Sequence, residues 1–229
     1  MTDNRDSHDK GRDSRRQILD ALRAAPQPFP QAAPPDDYRP VVPREATDGY
    51  GASGAALVDR FVQEAEKLAC QVHRAGDEAQ ALETLLSLLH GETAISCWDP
   101  GEIPLPGLAQ ALKEAGIQRA EPAAENVRIG LTGAQTALAA TGTLVLSSGP
   151  GRHRATSLLP PLHVAILRQD QIVPDLESWL ATQRHDDFAA MRQAANLILI
   201  SGPSRTADIA MELVMGMHGP RDLHVILLP

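Results

Sequence analysis

From residue 54 onward, stretches with apolar residues three or four apart alternate with short, continuous apolar runs. In "GAALVDRFVQEAEKLACQVHRAG", preceded by Ser53 as a cap, Leu57, Phe61, Ala65, Leu68, Ala69 and Val72 share one helical stripe until Gly76. That spacing predicts a single long helix. Asp77 and Gln80 stand at capping-box spacing ahead of "ALETLLSLLHG", a second helix. "TAISCW" reads as a buried strand, "LPGLAQALKEAG" as a helix, "VRIGL" as a strand, "TGAQTALAATG" as a short capped helix and "TLVLSS" as a strand. Then "LHVAILR" and "NLILIS" are near-continuous apolar strands, with "PDLESWLATQ" and "DFAAMRQAA" helical between them. "TADIAMELVMGM" reads as a helix and "DLHVILLP" as the last strand. Strands apolar on both faces and separated by helices predict an α/β domain of three layers, α/β/α, around a largely parallel sheet.

The pattern before residue 53 is different. Residues 1–13 are polar and read as disordered, and "SRRQILDALRAAP" predicts a short amphipathic helix capped by Ser14, with Ile18, Leu19 and Leu22 on one face. Residues 26–43 hold seven of the chain's 18 prolines, which suits an extended linker. The expected division is a helical arm with a proline-rich linker over 1–52 and the α/β domain over 53–229. Such an arm docks either on its own domain or on a second subunit.

Composition narrows the partners. With 43% hydrophobic residues in 229, the chain can bury one sizeable core. A formal net charge of −8 and 3% aromatics supply neither the basic stripe nor the stacking platforms of a nucleic-acid surface. No apolar run approaches a membrane span and the N-terminus lacks a secretory pattern, so a cytoplasmic protein without membrane attachment is expected. Cys70 and Cys97 form no C-x-x-C pair. Two buried thiols are expected, with no iron–sulfur cluster and no metal held by this chain alone.

Two regions are dense in turn chemistry. "SGPSRT" joins an apolar strand to a predicted helix, which is where ligands collect in open α/β sheets. Gly202 and Pro203 make the turn, Ser204 or Thr206 caps the helix, and Arg205 adds a fork suited to carboxylate or phosphate. A plainer reading pairs Arg205 with Asp208 one helical turn on. Asp208 and Glu212 then lie on one helix face, more readily a solvated stripe than a metal site. In the second region Thr141, Gly142 and Thr143 precede a strand, and Gly149, Pro150, Gly151 and Arg152 follow it, with His153 and Arg154 beyond. These groups can close over an anion or form a solvated loop. Pro160 and Pro161 suggest a fixed loop conformation, with a cis bond as one option. His163 and His218 can serve as general acid/base groups or as hydrogen-bonded structural histidines. No P-loop and no nucleophile elbow occurs.

Taken together, "TGAQTALAATGTLVL", "LLPPLHVAILRQDQIVPDLE" and "SGPSRTADIAMELVMGMHGPRDLHVILL" resemble the lactate utilization protein C family, whose members carry the LUD domain. The resemblance covers roughly residues 127–228, with "SGPSRTADI" followed by "HGPR" as its most specific signature. It implies a fold like that of the NagB, ribose-5-phosphate isomerase and CoA-transferase proteins. It also implies a part in oxidising L-lactate to pyruvate beside separately encoded iron–sulfur subunits. Ala140 and Ala210 stand where relatives tend to be acidic. The expectation is an accessory subunit without a cofactor of its own and with a pocket for a small anionic ligand. That pocket would be formed by Thr141, Gly142, Thr143, Gly151, Arg152, Gly202, Ser204, Arg205, Thr206 and His218. A free-standing enzyme on the same fold, acting on a folate, phosphosugar or CoA ester, is the alternative, and a pure interaction module is a third reading.

Overall fold

The computed structural model describes residues 16–21, 23–24, 54–121, 124, 126–207 and 213–229. The chain divides into two units, Met1–Val42 and Pro43–Pro229. Of the first, residues 16–21 and 23–24 are helical. The expected linker over 26–43 lies outside the described residues.

The second unit is built on a six-stranded sheet in the order β1-β12-β7-β4-β2-β3. Its strands are Gln71–Arg74 (β1), Ala94–Cys97 (β2), Gln118–Arg119 (β3), Ile129–Gly133 (β4), Leu162–Arg168 (β7) and Asp222–Leu228 (β12). Every pairing in it is parallel. The helices Gly54–Lys67 (α1), Glu78–Leu88 (α2) and Leu108–Glu114 (α3) bury Phe61 and Ala65, Ala81 and Leu85, and Leu108 and Leu112 in one core with Ile95, Leu131, Val164 and Val225 of the strands. The chain has the expected α/β architecture, with a mostly parallel central sheet and flanking helices. Between β4 and β7 it leaves this sheet for a second one, ordered β8-β5-β6-β9. Its strands are Thr136–Leu138 (β5), Thr143–Ser148 (β6), Ile172–Val173 (β8) and Asn196–Ile200 (β9), with β5 and β9 antiparallel to β6. Leu176–His185 (α4) and Ala189–Gln193 (α5) lead into β9.

Three expected elements differ. The long helix from residue 54 stops at Lys67, and Gln71 to Arg74 form strand β1. The stop is a Schellman ending without glycine: Cys70 N–H donates to Ala65 O at 3.0 Å, Ala69 N–H to Glu66 O at 2.9 Å, and Ala69 is left-handed at φ 67°. "TGAQTALAATG" contains β5 instead of a helix, because tertiary pairing with β6 and β8 overrides the helix propensity of its alanines. "TADIAMELVMGM" contributes a hairpin, Arg205–Ala207 (β10) against Leu213–Met215 (β11), so neither Ser204 nor Thr206 caps a helix. Asp208, Ala210 and Glu212 lie outside the described residues. No cis peptide bond occurs among the described residues, so the peptide before Pro161 is trans.

Candidate functional site

The strand order contains a switch point. From β2 the chain moves outward to β3, and from β4 it moves the other way to β7, so the connections leaving the carboxyl ends of these two paired strands diverge around a crevice. Ligands collect at such crevices in open α/β sheets. A cleft of about 510 Å³ lies there, entered by Trp98 just after β2 and by Ala134 and Gln135 just after β4. Glu102, Ser147, Arg152, Gln171 and Gln193 add to its polar lining.

Trp98, Glu102 and Arg152 are each held by a local device. Pro100–Glu102 forms a 3-10 turn behind β2, and Glu102 N–H donates to Asp99 O at 2.7 Å. This turn rests on β4, since the Glu102 carbonyl is 3.1 Å from where a Cβ on Gly133 would stand. Gly151 is left-handed at φ 72°, and a Cβ there would come 2.6 Å from Asp99 Oδ2, so only glycine suits this turn. Asp99 N–H donates to Gly151 O at 2.8 Å, and the Asp99 carboxylate pairs with Arg119. Arg152 is thereby aimed at Glu102, with Nη1 2.9 Å from Oε2. The Trp98 indole donates to His153 O at 3.1 Å.

Two polar atoms in this lining have no partner. Arg152 Nε is buried without an acceptor, and Gln135 Oε1 is buried without a donor. Buried polar groups are paired in most native structures, so unpaired ones at a cleft point to a ligand or ordered water. The neighbouring thiol is inert: burial pushes Cys97 up to about 12, and Cys70 up to about 11. Among the described residues no three His, Cys, Asp or Glu side chains are grouped to hold a metal ion.

The remaining sequence-derived candidates lie elsewhere. The Thr141, Thr143 and Ser201 hydroxyls form a chain, with contacts of 2.7 and 2.8 Å. Gly142 is left-handed at φ 61° and packs on α1, where a Cβ would come 2.3 Å from Ala65 N. Gly202, Ser204 and His218 line a smaller cavity of about 210 Å³ with His163 and Leu223. There the two halves of the signature meet, Ser204 N–H donating to Pro220 O at 2.8 Å. His163 is buried, its Nε2 lies 2.9 Å from Thr132 Oγ1, and burial pushes it down to about 4, so it is a neutral imidazole near pH 7. Arg205 donates to the Leu68 carbonyl and thus ties the hairpin strand β10 to the end of α1. Thr206 pairs with Val214 across the hairpin.

The expected single pocket of three turns is therefore divided. Thr143 and Gly149 stand at opposite ends of the six-residue strand β6, which spans roughly 20 Å, too far for both turns to hold one small anion. Gly151 and Arg152 belong to the switch-point cleft, and Gly202, Ser204 and His218 to the other cavity. Trp98, Glu102, Gln135, Ser147 and Gln171 were not among the residues singled out from sequence. The turn "WDPGE" directly after the strand "TAISC" was the available signal, because it marks a strand's carboxyl end.

Comparison with known proteins agrees with this architecture. A lactate utilization protein C from Halalkalibacterium halodurans is 35% identical over 150 residues, covering 62% of this chain and 64% of that protein. One from Geobacillus sp. is 33% identical over 179 residues, covering 69% and 73%. An uncharacterized Neisseria meningitidis protein is 37% identical over 103 residues, and the match spans 45% of this chain and 43% of that protein. The chain thus spans less than two thirds of the length of two of these relatives. The crystal structure of a DUF162 family protein from Deinococcus radiodurans superposes with a TM-score of 0.60 at 25% identity, covering 78% of this chain and 99% of that one. The family model for the LUD domain matches residues 58–228, which takes in both sheets and the cleft between them, and the chain belongs to the LUD domain family.

Proposed function

We propose that this protein serves lactate utilization in the cytoplasm by binding a small carboxylate in the switch-point cleft. Oxidation of L-lactate to pyruvate then takes place on separate iron–sulfur subunits. The relatives named lactate utilization protein C support the role, and the unpaired Arg152 Nε supports the ligand. A guanidinium donor without an acceptor is suited to a carboxylate, and Glu102 engages only its Nη1. No helix among the described residues is long and apolar enough to cross a membrane.

The test is growth on L-lactate of a strain lacking the gene, complemented with wild type or Arg152→Gln, alongside tagged purification. Wild type should restore growth and bring down iron–sulfur proteins. Arg152→Gln should restore growth poorly while capturing the same proteins. Full growth without the gene would overturn the role, and full rescue by Arg152→Gln would remove the ligand from the cleft.

The cleft volume of about 510 Å³ favours a second reading, since it exceeds what one lactate ion fills. In it the protein is a free-standing enzyme on a larger small-molecule substrate. Turnover of such a substrate by the isolated protein would decide for it.

A further inference from the structure

We propose that two copies of this chain associate through strand β9, which pairs antiparallel with β9 of the second copy about a two-fold axis. Each of the two larger sheets ends in two edge strands, and three of these four are blunted. β3 and β8 are two residues long, and β1, "QVHR", ends in the charge of Arg74. β9, "NLILI", has five residues with no charge and no proline. Its neighbour β6 is buried at every position, whereas no position of β9 is, and Leu199 is 45% exposed. Beyond the ladder with β6, residues 196–200 make no backbone hydrogen bond among the described residues. An open apolar edge of this kind is a template for another strand.

The strand that suits this edge best is its own copy. Pairing centred on Ile198 sets Leu197 of each copy opposite Leu199 of the other, on one face of the joined sheet, and the two edges match in length and hydrogen-bond alternation by identity. Charge favours the same occupant. A net charge of −8 makes the copies repel as a whole, but residues 193–204 hold no charged side chain, so this strip meets itself without setting like charges together. It also offers no charge by which a different protein would be steered. The apolar surface continues past the strand. Ile198, Leu199 and Ile200 line the cavity of about 210 Å³, and Leu159 and Met217, each 61% exposed, adjoin its lining residues Leu158 and His218. These side chains extend the contact beyond the strand ladder, toward the roughly 800 Å² that each partner buries in a stable interface.

Sedimentation equilibrium of the full-length protein tests this, with circular dichroism as a check on folding. Wild type at micromolar concentration should show twice the mass of the chain. Leu199→Lys places a charge on the exposed edge position, and a symmetric interface carries the substitution twice. It should weaken the dimer about hundredfold, tenfold for each copy, with an unchanged dichroism spectrum. A wild type that stays monomeric overturns the proposal, and so does a dimer that Leu199→Lys leaves at full strength, since its interface lies elsewhere. Hydrogen exchange on wild type reads the same contact without a substitution. Backbone amides within residues 196–200 that face away from β6 should exchange about tenfold more slowly in a concentrated, dimeric sample than in a dilute, monomeric one. Equal exchange at the two concentrations overturns the pairing of β9 even where Leu199→Lys does not fold.

Discussion

His163 shows how one buried residue couples stability to pH. In the unfolded chain its imidazole takes up a proton near pH 6.5, whereas burial holds the folded value at about 4. Between these values the unfolded state binds more protons, so stability falls as pH falls through that window. Above pH 6.5 this contribution is complete, and by pH 4 roughly 3 kcal/mol is lost. His73 and His224, whose rings meet at 3.0 Å on β1 and β12, are also lowered by burial and act in the same direction. Urea unfolding at pH 7.5 and 4.5 should show a clear loss for wild type and a smaller one for His163→Gln, which keeps a polar group beside Thr132. An equal loss in the two proteins would assign the titration to other groups.

The ending of α1 carries a cost that a single substitution can remove. Ala69 occupies the left-handed position that most Schellman endings give to glycine, and it is exposed. Left-handed backbone costs an L-residue about 1–2 kcal/mol, and glycine gives back about 0.5–1 kcal/mol through unfolded-state entropy. Ala69→Gly should therefore raise stability by about 0.5–1 kcal/mol, visible as a higher urea midpoint with the slope unchanged. A lower midpoint would mean that the Ala69 methyl group makes contacts that outweigh the strain. The same ending shows why the helix was read too long: Leu68 and Val72 keep helical spacing with Phe61 and Ala65, yet the stop comes from a backbone conformation with no glycine to mark it.

At the scale of the molecule, the chain's last strand is an interior one. β12 pairs with β1 on one side and with β7 on the other along seven registered residues, and Leu223, Val225, Ile226, Leu227 and Leu228 are all buried. Removing residues 223–229 takes out a central strand and leaves two neighbours with unpaired backbone groups in the core. Loss of the cooperative melt and of soluble expression is expected. A truncated protein that melts as sharply as the parent would show that the sheet does not depend on β12. The same central sheet positions the ends of β2 and β4 from which the cleft's walls depart, so the cleft should not outlast it.

Sequence alone determined the layered α/β class, because strands buried on both faces must be apolar throughout, and "LHVAILR" and "DLHVILLP" have that character. It also determined the α2 cap, where Asp77 Oδ1 accepts from Gln80 N–H at 2.8 Å, since capping is a contact between near neighbours. Tertiary structure decided that "QVHR" and "TAL" are strands and that residues 205–215 carry a hairpin. Short apolar segments fit either element until a partner strand supplies hydrogen bonds. Only the fold could bring Glu102, Gln135 and Arg152 to one cleft. Their partners, or the lack of them, depend on groups distant in the chain, while Thr143 and Gly149, six residues apart, are separated by the length of β6.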